Sequence, residues 1–333
     1  MIRNSPVALL VAASLVACAR PGTPSFDGAM LDSAIGAIAE RARPGRLGVA
    51  VRAIESGETW SLEGDQRFPM QSVFKLPLGA YVLHEVDHGE LSLSDTIHLT
   101  PADLSPPYSP IGQRFPERAT YTIEELLVAA VGGSDNTAAD VLMARVGGPA
   151  IVTGWLMEEG VRDVRIDRYE REFQLELNGM PRFDPAWAKE SVFLAALERV
   201  PAEIRREATR RYLADPRDTA TPIGAVLFLD ALANGELLPV RTRDRLLRIA
   251  TETTTGPRRL KAGLPDDATL AHKTGSARPD FGMNPAINDI GLVRLADGRQ
   301  LAIAVFLSGT TLPYQEAEGI IADVMRSIMR SLR

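Results

Sequence analysis

Cysteine and histidine are scarce in this sequence. Cys18 is the one cysteine among 333 residues, so no disulfide within the chain can stabilise the folded domain. The four histidines, His84, His88, His98 and His272, are too few and too scattered to indicate a Ser-His-Asp triad. No glycine-rich loop has the pattern that cradles phosphate. Triad hydrolases and nucleotide-binding folds are therefore disfavoured.

Charge of one sign is not concentrated anywhere along the chain. The sequence has 37 basic and 43 acidic residues, a net charge of −6, and its basic residues are scattered. We therefore expect no nucleic-acid partner, because such proteins collect their positive charge into a stripe or patch. With 45% hydrophobic residues, the chain can bury a large core as one large domain or two closely packed ones.

The apolar run at the N-terminus is too short to span a bilayer. Arg3 precedes an apolar segment at 8–17, which predicts an export signal over residues 1–18. The sequence LVAC that ends at Cys18 resembles the cleavage box of bacterial lipoproteins, in which the cysteine becomes the lipidated first residue. The alternative is ordinary cleavage near the same small residues, with Cys18 discarded. Both alternatives predict a periplasmic protein, and the first adds membrane attachment through the lipid.

Strand patterns occur towards both ends of the chain, and helical patterns fill its middle. The strand patterns lie at 47–54, 59–62, 269–273, 287–295 and 301–308. The helical patterns lie at 26–43, 72–88, 122–131, 136–145, 149–159, 222–233, 241–251 and 315–329. We predict an α/β (α+β) fold, with an antiparallel sheet built from both chain ends, flanked by helices, and an inserted all-helical domain. The predicted sheet domain comprises 26–68 and 254–333, and the helical domain comprises 69–253.

Three short motifs follow one another along the chain: SVFK at 72–75, SDN at 134–136 and KTG at 273–275. A serine is a poor nucleophile until a base takes its proton, and Lys75 lies one helical turn from Ser72 on the same face. Lysine acts as a base only if its pKa is lowered, which burial and a second cation such as Lys273 would do. Ser134 can relay a proton to a leaving nitrogen, and Asn136 can hold a substrate amide.

The third motif predicts the binding half of the site. Lys273 is expected on an edge strand lining a cleft, where its charge and the hydroxyls of Thr274 and Ser276 suit a substrate carboxylate. The backbone N–H groups of Ser72 and Ser276 would form an oxyanion hole. Each motif alone can occur by chance, and Ser72 could simply cap a helix. The three together, in order, make chance a poor explanation.

These residues resemble those of class A serine β-lactamases, in the penicillin-binding protein and β-lactamase superfamily, over nearly the whole mature chain. The resemblance implies that Tyr108 is the cleft-edge tyrosine that stacks on substrate. It also implies that Glu170, 36 residues after Ser134, activates the water that cleaves the acyl-enzyme ester. Arg258, in TGPR at 255–258, matches a position from which some members supply a carboxylate-binding arginine. The alternative for Arg258 is a solvated charge at a helix end.

The sequence departs from the family in the Ω loop, the loop that carries this glutamate. The family closes the loop with an Arg–Asp ion pair, here Arg168 and Asp218, which are 50 residues apart, so the Ω loop spans 168–218. This loop is therefore about 35 residues longer than the loop of the family. The extra residues predict an inserted helical segment at about 175–213, with amphipathic helices at 184–199 and 201–213. This segment is a candidate for a helical hairpin that caps the cleft entrance.

The insertion leaves the identity of the base open. Gln174 stands where the family usually has an asparagine, four residues after the glutamate, while ELN at 176–178 imitates the family wording further on. Glu170 is preferred over Glu176 because Arg168 and the spacing from Ser134 agree with it.

The predicted function is hydrolysis of the β-lactam amide of penicillins and cephalosporins through an acyl-enzyme on Ser72, conferring antibiotic resistance. We expect a monomer without cofactor or metal. Two alternatives are a D-alanyl-D-alanine peptidase, whose Glu170 would not reach the ester, and a penicillin-binding sensor lipoprotein that stays acylated. A third is a zinc hydrolase, because HEVDH at 84–88 matches HExxH. Since Gly89 follows directly and no third ligand is recognisable, this motif is interpreted as a polar helix end.

Overall fold

Strands from both ends of the chain pair in one antiparallel sheet. The computed structural model describes residues 25–333, so the predicted export signal at 1–18 and Cys18 lie outside the described residues. The strands are β1 (Arg46–Ala53), β2 (Thr59–Leu62), β3 (Phe68–Pro69), β4 (Thr96–His98), β5 (Thr120–Thr122), β6 (Thr219–Ala220), β7 (Thr269–Ser276), β8 (Asn284–Arg294) and β9 (Gln300–Thr310). Within these residues the main sheet has the order β2-β1-β9-β8-β7, which leaves β7 at an edge. The predicted α/β fold is confirmed.

Helices cover both faces of this sheet and form the middle of the chain. They are α1 (Gly28–Arg41), α2 (Lys75–Asp87), α3 (Pro110–Arg114), α4 (Ile123–Leu127), α5 (Asn136–Arg145), α6 (Pro149–Glu158), α7 (Glu170–Leu177), α8 (Glu190–Glu198), α9 (Ala202–Ala214), α10 (Pro222–Asn234), α11 (Val240–Thr251) and α12 (Tyr314–Ser331). Helices α1 and α12 pack on one face of the sheet, and α10 packs on β1 and β9 from the other. The sheet is therefore sandwiched between the two chain ends and the helical region.

Two predicted helices are interrupted near the site. The segment predicted as one helix at 72–88 begins with a tight 3₁₀ turn, Gln71–Phe74, and becomes α-helical at Lys75. Helix α4 ends at Leu127 and continues as a π-helical turn, Val128–Gly132, immediately before the SDN motif. Hydropathy periodicity does not separate these turns from an α-helix, because their side-chain spacing differs by less than one residue per turn.

The inserted part of the Ω loop forms the two predicted helices, α8 and α9. Phe193 and Leu197 of α8 are buried with Leu175 and Met180 in a small core of their own. The Lys189 ammonium, just before α8, donates hydrogen bonds to two backbone carbonyls at the end of α3, those of Gln113 and Phe115.

On its other side the insertion is fixed to the sheet domain. Arg205 of α9 forms a 2.9 Å ion pair with Asp280, in the loop between β7 and β8, and stacks on the Phe281 ring. The insertion thus contacts segments on both sides of the cleft described below.

The HExxH-like segment packs as part of a helix end. The rings of His84 and His88 contact each other with centroids 4.1 Å apart, and His84 also packs on Trp155. Across residues 25–333, no cluster of three or more His, Cys, Asp and Glu side chains is placed to hold a metal ion. No helix in that same range is both long and apolar enough to cross a membrane.

The close packing of Gly48, in β1, against the core can be tested by substitution. A Cβ added at Gly48 would overlap the ring of Phe68 and lie 2.9 Å from Cγ of Pro222. We expect Gly48→Ala to lower the free energy of unfolding by about 1–3 kcal/mol, because a packed core resists added volume. Gly36→Ala, at an open position in α1, is the matched control and should raise it by about 0.5–1 kcal/mol. Urea denaturation measures both, and a neutral Gly48→Ala would contradict the described packing.

Candidate active site

Ser72 and Lys75 lie where the 3₁₀ turn meets α2. Ser72 is half-buried and lines a cleft of about 330 Å³, while Lys75 is fully buried beneath it. The Lys75 ammonium donates hydrogen bonds to the backbone oxygen of Ser134 (2.8 Å) and to Oδ1 of Asn136 (2.6 Å). Burial lowers the pKa of Lys75, and the nearby carboxylate of Glu170 opposes this shift. The structure thus brings the first two motifs together around one lysine.

The second and third motifs meet at the Ser134 hydroxyl. Ser134 has a left-handed backbone conformation (φ +59°), and its Oγ accepts a 2.9 Å hydrogen bond from the ammonium of Lys273. Burial and the positive charge of Lys75 lower the pKa of Lys273 well below its usual value. Ser134 therefore lies between two lysines whose burial favours loss of a proton, which suits a proton relay.

Glu170 opens α7 and is held rigidly at the base of the cleft. Its backbone N–H donates a 2.6 Å hydrogen bond to Asp140, and its Oε1 accepts one from Gln174 (3.2 Å) and lies 3.8 Å from Nζ of Lys75. The other oxygen, Oε2, is buried and has no hydrogen-bond partner among the described residues. Burial raises the pKa of Glu170 to about 7, against the influence of Lys75. This is the range in which a carboxylate can act as a general base near neutral pH.

The Ω loop is closed by the predicted ion pair. Nε of Arg168 lies 2.6 Å from Oδ2 of Asp218, both side chains are nearly inaccessible, and Asp218 also accepts hydrogen bonds from the backbone N–H groups of Asp167 and Arg168. Glu176, the competing candidate for the base, is half-exposed, is paired with Arg168 and Arg217, and does not line the cleft. The geometry therefore favours Glu170.

The edge strand β7 lies directly against the turn that carries Ser72. A Cβ at Gly275 would collide with the carbonyl oxygen of Met70, so only glycine allows this approach. Asn288 of β8 secures it, since its amide donates to the carbonyls of Pro69 (2.8 Å) and Met70 (3.0 Å). The two residues predicted to supply the oxyanion hole, Ser72 and Ser276, line the same cleft.

The prediction that Arg258 binds the substrate carboxylate is wrong, because the next residue, Arg259, is the one that faces the cleft. Arg258 is exposed and does not line the cleft, whereas Arg259 is 2% exposed and does. The guanidinium of Arg259 donates to Oγ of Ser276 (2.7 Å) and to the hydroxyl of Tyr314 (2.8 Å), and it forms an ion pair with Glu318 (3.2 Å). Adjacent residues point in different directions, so an error of one position exchanges a surface charge for a buried one.

All five N–H groups of Arg259 have acceptors in the protein, the remaining ones being the carbonyls of Gly275 and Asn288. Its effect on an anionic substrate is therefore exerted through Ser276 and through its charge. Because Oγ of Ser276 accepts from Arg259, the Ser276 hydroxyl is free to turn its own proton towards a carboxylate.

Tyr108 and Asn136 lie together on the opposite side of the cleft. The backbone N–H of Asn136 donates to the carbonyl of Tyr108 (3.0 Å), and the Tyr108 ring is half-exposed at the cleft margin. Thr274 lines the cleft beside Ser276, and the insertion contributes Phe193. Every catalytic or binding residue predicted from the sequence, except Arg258, is thus at or directly beneath one cleft.

Sequence reasoning missed several residues that build this site. Asp140, which binds the backbone of Glu170, lies four residues after Asn136 on the same helix, so helical spacing could have found it. No local signal identifies Gln71, Asn288 or Tyr212, because their partners are distant in sequence.

Comparisons with known proteins agree with this geometry. A model of the beta-lactamase enzyme family matches residues 30–332. Beta-lactamase VEB-1 of Pseudomonas aeruginosa is 31% identical over 287 residues, covering 86% of this chain and 85% of the relative. The extended-spectrum beta-lactamase PER-1 of the same organism is 30% identical over 283 residues, covering 84% and 80%.

Solved structures resemble the chain over the same extent. A beta-lactamase from Chitinophaga pinensis has 36% identity and a TM-score of 0.73, covering 89% of this chain and 97% of that one. The class A beta-lactamase reconstructed as the last common ancestor of Gram-negative bacteria has 31% identity and a TM-score of 0.73, covering 90% and 98%. The chain therefore belongs to the beta-lactamase enzyme family and, within it, to the class A serine β-lactamases.

Proposed function

We propose that this protein hydrolyses the amide bond of β-lactam antibiotics in two steps through an ester on Ser72, and so confers resistance to them. One observation carries the proposal: a buried carboxylate, Glu170, lines the same cleft as the nucleophile, and one of its oxygens has no hydrogen-bond partner within residues 25–333. A penicillin-binding protein or sensor needs the nucleophile only, whereas a hydrolase that turns over needs a base for the second step.

In the first step Oγ of Ser72 attacks the β-lactam carbonyl. Its proton passes to Lys75, or through a water to Glu170, and the developing oxyanion is stabilised by the backbone N–H groups of Ser72 and Ser276. The C–N bond then breaks as Ser134 delivers a proton to the lactam nitrogen, and Lys273 re-protonates Ser134 across their 2.9 Å hydrogen bond. Lys273 is itself re-protonated by the proton that Lys75 or Glu170 took from Ser72, so each group ends the step as it began. The substrate carboxylate is bound by the hydroxyls of Thr274 and Ser276, with Lys273 and Arg259 supplying positive charge.

In the second step Glu170 takes a proton from water, and the resulting hydroxide attacks the ester carbonyl. The proton returns to Oγ of Ser72 as the ester bond breaks, which releases the opened product and restores the enzyme. The hydrogen bond from Gln174 keeps Oε1 of Glu170 oriented. Oε2 of Glu170 has no hydrogen-bond partner among the described residues, which supports a role for this oxygen in binding the water.

We also propose that the protein acts as a monomer in the periplasm, attached to the membrane if Cys18 is lipidated. The monomer is supported by a cleft whose catalytic residues all come from one chain. Export rests on the sequence pattern at 1–18 alone.

Turnover of a chromogenic cephalosporin tests the proposal. A cephalosporin is a suitable substrate because one of the relatives, PER-1, is named as an extended-spectrum beta-lactamase. We expect sustained hydrolysis by the purified protein, and in Glu170→Gln a deacylation rate lower by about 10²- to 10⁴-fold, because the base is removed. Mass spectrometry should then detect the acyl-enzyme on Ser72. Glu176→Gln is the matched control and should keep turning over, since Glu176 lies outside the cleft. A single stoichiometric burst from the unsubstituted protein would indicate a sensor or a peptidase instead.

The pH dependence follows from the burial of Glu170. Only its carboxylate form can accept a proton from water, and its pKa is raised to about 7. The rate constant for deacylation should therefore be half-maximal near pH 7 and fall about tenfold for each further unit of acidification. Decay of isolated acyl-enzyme between pH 5 and 9 measures this, and a flat profile across that range would contradict the assignment of Glu170 as the base.

Arg259 and Arg258 provide a second matched pair. Arg259→Ala removes the positive charge and frees Oγ of Ser276 from its donor, so KM for a carboxylate-bearing β-lactam should rise by about tenfold or more. Arg258→Ala should leave KM unchanged, because Arg258 is exposed outside the cleft. Steady-state kinetics, with melting temperatures as a check on folding, distinguish the two. A rise in KM caused by Arg258→Ala alone would restore the sequence-based assignment.

A further inference from the structure

A chain of buried hydrogen bonds joins the Ω-loop insertion to Glu170. Nε2 of Gln71 donates to the hydroxyl of Tyr212 (2.5 Å). Nε2 of Gln174 donates to Oε1 of Gln71 (3.0 Å) and to Oε1 of Glu170 (3.2 Å). Tyr212 belongs to α9, within the insertion, and Gln71 immediately precedes Ser72. This series of hydrogen bonds therefore leads from Tyr212 in the insertion, through the residue next to the nucleophile, to the carboxylate of Glu170.

All four side chains of this series are almost fully buried. Tyr212, Gln71 and Gln174 are 6%, 2% and 6% exposed, and Glu170 is 1% exposed. Gln71 adopts a left-handed backbone conformation (φ +49°), which few non-glycine residues adopt without support from their surroundings. A buried polar group left unpaired is costly, so the arrangement in which both amides and the Tyr212 hydroxyl are hydrogen-bonded is favoured.

The carboxylate at one end fixes the direction of the hydrogen bonds. An ionised carboxylate can only accept, so the amide nitrogen of Gln174 must face Glu170. Its second N–H then requires an acceptor, which is Oε1 of Gln71, and this turns the amide nitrogen of Gln71 towards Tyr212. If Gln71 rotated by 180°, two amide nitrogens would face each other. The Tyr212 hydroxyl accepts from the amide nitrogen of Gln71, so this orientation of Gln71 is hydrogen-bonded at both ends of its amide.

We propose that Tyr212 and Gln71 are positioning residues for the deacylation carboxylate, and that the inserted segment serves the second step of catalysis through them. This inference rests on the proposed function. Burial raises the pKa of Tyr212, so the hydroxyl stays protonated throughout the working range. The insertion brings a buried hydroxyl to the residue beside the nucleophile.

Tyr212→Phe removes the acceptor and little else. Because the Gln174 hydrogen bond lowers the pKa of Glu170, loosening it should move the acid limb of deacylation to higher pH, by about half a unit or more. The other charges facing Glu170 are Lys75 of α2, Asp140 of α5 and Lys273 of β7, and the substitution alters none of them. We further expect deacylation to slow by about tenfold while acylation, for which Lys75 remains available as the base, stays within about twofold of the unsubstituted rate.

The experiment compares acylation and deacylation in the full-length protein. Stopped-flow hydrolysis of a chromogenic cephalosporin gives the acylation rate, and decay of the acyl-enzyme by mass spectrometry gives the deacylation rate from pH 5 to 9. Tyr121→Phe is the matched control, because Tyr121 is equally buried, its hydroxyl binds a backbone carbonyl, and it lies outside the cleft. It should change neither rate.

Gln71→Met removes the amide between Tyr212 and Gln174 with little change in side-chain volume. If Tyr212→Phe does not fold, this variant tests the inference in its place. It should show the same selective loss, and Tyr212→Phe should add nothing to it, because both act through one connection. In a Glu170→Gln background, Tyr212→Phe should likewise leave the residual deacylation unchanged.

Equal losses in both steps, an unshifted acid limb, or an additive effect with Glu170→Gln would overturn the inference. These outcomes are distinct from failure of the proposed function, in which the unsubstituted protein itself would not turn over.

Discussion

Two buried side chains of opposite charge lie 3.8 Å apart under the nucleophile, and the architecture around them keeps them there. Removing Lys75 and Glu170 from water costs several kcal/mol for each ion, and their attraction offsets this only when other hydrogen bonds satisfy them. Lys75 has two such acceptors, in the SDN motif, whereas one oxygen of Glu170 has no partner in the described part of the chain. Burial shifts the pKa of both groups towards the neutral form, which favours proton exchange between them.

The surrounding elements each hold one side of this pair. The π-helical turn before Ser134 and the capping of α5 by Asp135 fix the SDN motif, while Asp140 of the same helix binds the backbone of Glu170. The ion pair between Arg168 and Asp218 closes the Ω loop at its base, so the two ends of the loop stay together whatever the length of chain between them. Loop closure costs little more as a loop lengthens, about 0.6 kcal/mol for each doubling, which explains how an insertion of this size is tolerated.

The insertion is nevertheless more than extra length. It packs a small core of its own, contacts segments on both sides of the cleft through Lys189 and Arg205, and places Phe193 in the cleft wall. Tyr212 connects it to the residue before the nucleophile. A segment that could be interpreted as a cover over the entrance is thus also bound to the interior of the site.

The sequence alone determined what is local. Ser72 and Lys75 are one turn apart, the order of the three motifs identified the chemistry, and the strand and helix patterns predicted a sheet drawn from both chain ends. Tertiary structure decided what depends on direction and on distant partners. Arg259 rather than Arg258 faces the cleft, and Glu170 rather than Glu176 is buried beside Lys75, because packing determines which of two nearby side chains points inwards. The connection from Tyr212 to Glu170 passes through Gln71, which is 141 positions from Tyr212 and 103 from Gln174 along the chain. No local pattern encodes such pairs.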